Sequence, residues 1–181
     1  MILAADGAAD GDWPGGAGHG GKPELMTSPA CEDWMEEALV LAREAAEADE
    51  VPVGAVVVRL ADGTVIGRGR ERKVELQDPT AHAEILALRD AGRSMGDWRI
   101  EGCALVVTLE PCPMCAGAVL LARVPLLIYG ASNPKFGAVQ AQTTLLDHGG
   151  WNHRVEVVGG IRAEECGAIL KEFFARKRGR S

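Results

Sequence analysis

The sequence predicts an α/β fold, a three-layer α-β-α sandwich built on a mixed five-stranded sheet. Three observations carry this. Segments of helical and strand periodicity alternate in the order α-β-β-α-β-α-β-α-β-α. Residues 103–109 and 124–130 are apolar along almost their whole length, as central strands covered on both faces are. Asp62-Gly63 lies between two β-rich runs, a hairpin signal that makes the first two strands antiparallel neighbours.

Taken in order, residues 31–50 form the first helix, with Trp34, Ala38, Leu39, Leu41, Ala42 and Ala45 in an apolar stripe and the acids on the solvated face. Residues 53–60 and 65–67 form the hairpin strands. Residues 68–77 are polar and irregular, as a loop over a site would be. A helix follows over residues 80–91, introduced by Pro79 and Thr80. Residues 103–109 are a strand, 112–123 a helix and 124–130 another strand. Residues 131–141 are a Gly-containing loop, 143–147 a short helix and 154–158 the last strand. Residues 163–178 close the chain as a helix with Cys166, Ile169, Leu170, Phe173 and Phe174 on its apolar side.

Size and composition narrow the function. A chain of 181 residues with 47% hydrophobic content fills one α/β domain and is too short for two of ordinary size. No apolar run reaches the ~18 residues of a membrane helix. Residues 1–10 hold Asp6 and Asp10 and no Lys or Arg, so they do not read as a signal peptide. Five cysteines fit a cytoplasmic protein with reduced thiols better than a disulfide framework. Cys31, Cys103 and Cys166 read as small buried residues. Residues 1–30 contain seven glycines and few large apolar groups, which predicts a disordered extension ahead of a domain at 31–181. His19, alone in that tract, reads as no ligand.

The net charge of −7 is unevenly placed. Residues 1–50 hold 12 acids and 2 bases, whereas residues 171–181 hold 5 bases and 1 acid. With a Debye length of ~8 Å, a phosphate partner meets the local patch rather than the whole charge. A solvated basic helix would look the same.

The chemistry is concentrated in two stretches, Pro79-Thr80-Ala81-His82-Ala83-Glu84 and Leu109-Glu110-Pro111-Cys112-Pro113-Met114-Cys115. Cys112 and Cys115, three apart at a helix start, fall on one face within reach of one ion. With His82 they make three ligands for zinc, leaving a fourth tetrahedral position for water, as a catalytic site needs. Glu84, two residues from His82 at another helix start, can move protons for that water. Both ligand groups lie at helix N-termini, where the dipole favours thiolate. A C-x-x-C between strand and helix also suits a thioredoxin-like redox pair, but the upstream His-Ala-Glu argues against it. A structural zinc finger lacks its second Cys or His pair here. His148 and His153 read as loop or structural residues.

H-x-E followed by P-C-x-x-C is the known zinc-deaminase signature. Together with Asp78-Pro79, Thr108, Ala116-Gly117-Ala118 and Trp151-Asn152-His153-Arg154-Val155, it resembles the bacterial tRNA-specific adenosine deaminases over residues 34–178. That resemblance implies a cytidine-deaminase-like fold, Zn2+ held by His82, Cys112 and Cys115, and Glu84 as the catalytic proton carrier. It implies hydrolytic conversion of adenosine to inosine at the wobble position of a tRNA anticodon stem-loop, by a homodimer whose two subunits both touch RNA. Glu71 matches a position where the family has a base-reading Asn, and Asn133 one where it has an acid near the ribose. Lys135 and Arg178 match positions that approach phosphates; Asn152 and Phe173 match the substrate pocket. Two alternatives stay open. One is a deaminase of guanine or another free purine or nucleoside; the other is a catalytically silent RNA-binding subunit.

Overall fold

A computed structural model describes residues 29–147 and 149–179. The predicted disorder of residues 1–30 falls almost wholly outside these residues, as do His19 and His148. The first helix starts at Pro29, two residues before its predicted start. A Pro fits the first helical turn, where its missing N–H has no partner to lose.

The elements are α1 (Pro29–Glu47), β1 (Gly54–Arg59), β2 (Val65–Arg70), α2 (Lys73–Leu76), α3 (Ala83–Met95), β3 (Cys103–Leu109), α4 (Pro113–Leu121), β4 (Leu126–Ala131), a 3-10 turn (Leu145–Asp147), β5 (Glu156–Gly159) and α5 (Ala163–Arg178). The five strands form one sheet in the order β2-β1-β3-β4-β5. β1 runs antiparallel to both β2 and β3, and β3, β4 and β5 are parallel. The mixed five-stranded sheet is the predicted one.

Alternation along the strands divides the core into two layers. Ala55, Val57, Leu105, Val107, Leu127 and Tyr129 face α3 and α4, where they meet Ala83, Ala87, Ala116 and Val119. Val56, Val58, Ala104, Val106, Leu126 and Ile128 face the other way, onto Met35, Ala38 and Leu39 of α1 and Cys166 of α5. Cys31, Cys103 and Cys166 are all buried free thiols.

Two stretches depart from the sequence reading. β2 runs on to Arg70 instead of stopping at Gly67, because Gly54 pairs with Arg70 and Ala55 with Gly69 across the hairpin. Gly67 and Gly69 look like strand breakers, yet they are where α3 lies closest to the sheet. A Cβ on Gly69 would stand 2.2 Å from the Ala83 carbonyl oxygen, and one on Gly67 would stand 2.4 Å from that of Ala87. The supposed loop beyond β2 also contains α2. Its amide at Glu75 donates to the buried Glu50 carboxylate at 2.7 Å, and the Glu75 carboxylate pairs with Arg70 and Arg72.

α3 starts three residues later than predicted. The Asp78 carboxylate accepts from both the amide and the hydroxyl of Thr80, a local turn that holds Thr80 outside the helix. His82, extended at φ −74° and ψ 152°, becomes the N-cap residue. Gly96, in the left-handed region at φ 69°, ends the helix at Met95.

This packing generates a stability prediction. A methyl group on Gly69 must push α3 off β2, so Gly69→Ala is expected to destabilise the fold by about 1–3 kcal/mol. Denaturant unfolding should show a lower midpoint at unchanged slope. An unchanged midpoint would mean that the helix backbone does not rest on the strand.

Candidate active site

Two helix starts meet at one point. β2 and the turn at Asp78 deliver His82 to the N-terminus of α3, and β3 delivers Cys112 to the N-terminus of α4. Cys112 is extended at φ −74° and ψ 171°, and Pro113 occupies the first helical turn behind it. Cys115 follows within that turn. The His82 Nδ1 atom lies 3.7 Å from the Cys112 sulfur and 3.6 Å from the Cys115 sulfur. The three ligand atoms all lie within 4.8 Å of one another, the one such group among the described residues.

Charge in this cluster is already arranged for a cation. The hydrogen bond from Cys115, with help from His82, holds the Cys112 thiol down at about 4, so Cys112 is a thiolate. The same sulfur raises the His82 imidazole through its hydrogen bond. Cys115 is pushed the other way, first by that bond to Cys112 and then by burial. Thiolate, thiol and imidazole therefore share protons over a span the size of a coordination sphere. A soft divalent ion would replace those protons, so the donor set fits zinc.

Glu84 completes the centre. It is 4% exposed, and burial raises its carboxyl to about 7, with the Cys112 charge adding to the rise. Its helix places it over the same end as His82, as two residues at a helix start should lie. A buried carboxyl that titrates near neutrality can both accept and return a proton.

The predicted substrate residues fall into three groups. Glu71 is 3% exposed and close enough to His82 and Glu84 to perturb both; its outer oxygen pairs with Lys73 Nζ at 2.9 Å. Asn133 and Lys135 lie on the loop after β4. The Asn133 side chain is committed there, since its Oδ1 accepts from the Lys135 and Phe136 amides at 3.3 and 3.1 Å. Asn152, Phe173 and Arg178 lie elsewhere. Arg123 grips Asn152 Oδ1 at 2.7 Å, Phe173 is buried on α5 beside Lys177, and Arg178 is exposed at the end of α5. His153 is half-buried, its Nε2 2.8 Å from the Val124 carbonyl.

One residue that sequence reasoning passed over organises the site's rim. Glu110 is 1% exposed and lies two residues before Cys112. Its Oε1 accepts from the amides of Val139, Gln140 and Ala141 at 3.2, 2.7 and 2.8 Å. Its Oε2 accepts from the Asn133 amide at 3.0 Å and from the Ser132 hydroxyl at 3.1 Å. Burial pushes this carboxyl up, but the backbone bonds outweigh it and hold the group below its ordinary value. The signal was a charged residue inside an otherwise apolar run, and its spacing alone did not say what it holds.

Comparison with known proteins finds deaminases. A Bacillus subtilis tRNA-specific adenosine deaminase is 46% identical over 80% of this chain and 89% of its own length. A tRNA(Ile)-lysidine synthase of Deinococcus radiodurans is 53% identical over 81% of this chain, which spans only 25% of that longer protein. A solved tRNA:A34 deaminase, which edits A to I at the wobble position of transfer RNA, is 47% identical with a TM-score of 0.73, covering 76% of this chain and 99% of its own. A guanine deaminase from Nitrosomonas europaea shares the fold at 27% identity and a TM-score of 0.71, over 96% of this chain and 100% of its own. Residues 30–178 match the pattern of the MafB19-like deaminases, and the chain belongs to that family.

Proposed function

We propose that residues 31–181 form a zinc-dependent deaminase that converts adenosine to inosine at the wobble position of a tRNA anticodon loop. The observation that carries it is the buried Glu84 carboxyl beside a three-ligand His-Cys-Cys cluster, in a chain 46% identical to a tRNA-specific adenosine deaminase. Zinc, when held by His82, Cys112 and Cys115, supplies a water acidic enough to ionise near neutral pH. Glu84 takes the proton of the attacking water and gives it to N1 of the purine. The water oxygen bonds to C6. Glu84 then takes the remaining proton from the C6 hydroxyl and gives it to the exocyclic nitrogen, the C6–N bond breaks as the C6 carbonyl forms, and ammonia leaves inosine, which keeps the first proton on N1. A stacked or paired base cannot reach this point, so the target must be splayed from a single-stranded loop.

Around this centre, Glu71 lines the base, Asn133 lies nearest the ribose and Lys135 meets a phosphate; Asn152, Phe173 and Arg178, which lie away from the cluster, are proposed as contacts for more distant parts of the RNA. Glu71 cannot donate as an amide does, so an ionised Glu71 can only accept from the base. A second copy of this chain is the proposed partner. The apolar groove between α3 and α4, about 680 Å³ and lined by Leu88, Trp98, Ile100, Ala118 and Leu121, supports it. Leu121 there is 76% exposed and Trp98 58%. The cytoplasm is the proposed site of action; free thiols at all five cysteines support it, and no described helix is long and apolar enough to cross a membrane.

Inosine formation on an anticodon stem-loop with A at the wobble position, run beside guanine and free adenosine, tests the assignment. Turnover of the stem-loop is expected; turnover of guanine alone would move the protein to purine-base chemistry. Glu84→Ala is expected to keep zinc and the melting temperature while lowering kcat by about 10²–10⁴-fold. Substantial residual turnover would show that another group carries the proton. The wild-type chain should bind about one zinc, and Cys115→Ser much less, by elemental analysis; equal content would remove Cys115 from the ligand set. Leu121→Asp should shift the sedimentation of a dimer towards monomer, and an unaltered profile would place the partner elsewhere.

A further inference from the structure

Phe136 is 69% exposed, on the loop between β4 and the 3-10 turn. A single exposed apolar side chain is ordinary. What sets this one apart is the rigidity of its seat. The Glu110 carboxylate takes five hydrogen bonds from the two arms of the loop, at Ser132, Asn133, Val139, Gln140 and Ala141. Asn133 closes the turn beneath Phe136 by accepting its amide. Gly137 is pressed so tightly on this arrangement that a Cβ there would stand 2.5 Å from the Glu110 carboxyl carbon. Ala138 donates to the Pro111 carbonyl at 2.9 Å, which fastens the loop beside Cys112. Phe136 therefore extends from a fixed loop beside Cys112, and Lys135 next to it is exposed.

We propose that Phe136 is a stacking platform for an unpaired nucleobase next to the one that reacts, with Lys135 meeting that nucleotide's phosphate. The proposal rests on the tRNA reading above. A flat aromatic face accepts any base, and a loop already ordered need not be ordered again when a base settles on its ring. An adjacent cation completes the pairing of stacking surface and charge by which single strands are held. A free purine has no neighbouring nucleotide and gains nothing from this feature.

The experiment is steady-state deamination of the anticodon stem-loop by the zinc-loaded protein and its F136A, F136L and F136W variants. It is paired with fluorescence-anisotropy binding of the labelled stem-loop in an E84A background. Ala and Leu, which lack a π-face, are expected to raise KM and Kd by about five- to 150-fold with kcat within about twofold, and Trp is expected to restore both. The loss should vanish on a stem-loop whose neighbouring nucleotide is abasic, because removal of either stacking partner removes the same interaction. Unchanged Kd in F136A and F136L, or an equal loss on every abasic stem-loop, would overturn the platform. So would a sedimentation change in F136A that accounts for its weaker binding, since the ring would then belong to an interface. If the wild-type protein deaminates a free purine and ignores the stem-loop, the tRNA reading itself falls, and that outcome is distinct from all of these.

Discussion

The site depends on bringing the positive ends of two helices to within a few ångströms of each other. His82 caps α3 and Cys112 caps α4, and their ligand atoms are 3.7 Å apart. Facing N-termini repel unless negative charge lies between them. The Cys112 thiolate supplies it, and a three-ligand cation site is what two such ends and two sulfurs can jointly hold. Each helix is set in place by small residues. α3 rests on Gly67 and Gly69 through Ala83, Ala87 and Ala91, and α4 lies on the same face of the sheet through Ala116 and Val119. With larger side chains at the glycines, α3 would stand farther from the sheet and His82 would leave the cluster.

The sheet supplies the second part of the geometry. β3 pairs antiparallel with β1 and parallel with β4, so its carboxyl end opens at the change of direction in the sheet. The chain leaves β3 through Leu109, Glu110 and Pro111, and the loop after β4 returns to the same edge to be gathered by Glu110. His82 and Glu84 at the start of α3, Glu110, Cys112 and Cys115 between β3 and α4, and the loop after β4 are thus three separate chain segments that share one edge. No one of them forms a site alone, and the order of the strands is what assembles them.

Much of this was legible in the amino-acid sequence, for a physical reason in each case. Residues 103–109 and 163–178 matched their elements because packing on both faces, or along one stripe, leaves a periodic trace. The meeting of His82, Cys112 and Cys115 was legible because residues able to hold a metal are few in kind and strict in spacing. β2 was cut short because its outer half, Gly67 to Arg70, owes its place to the close approach of α3, and glycines chosen for proximity resemble glycines chosen for turns. α2 was missed because four residues carry no period, and what holds it is a long-range bond from Glu50. Asn133 was legible as a residue near the site, but its commitment to its own loop depends on amides that only the folded turn brings together.

Four buried carboxylates among the described residues show how one side chain divides into different functions. Glu50, Glu71, Glu84 and Glu110 are all less than 5% exposed, so each has lost most of its hydration. Glu110 regains it from four amides and a hydroxyl, and it stays ionised below its ordinary range. Glu50 spends its charge on the start of α2, and Glu71 on Lys73. Glu84 has only its own amide to set against burial, the Cys112 charge works in the same direction as burial, and the carboxyl rises to about 7. An under-solvated carboxyl is a cost to the fold, and it is also what lets a proton come and go at neutral pH. Glu84 therefore differs from Glu110 in how few donors the fold has given it, a property that no spacing in the sequence records.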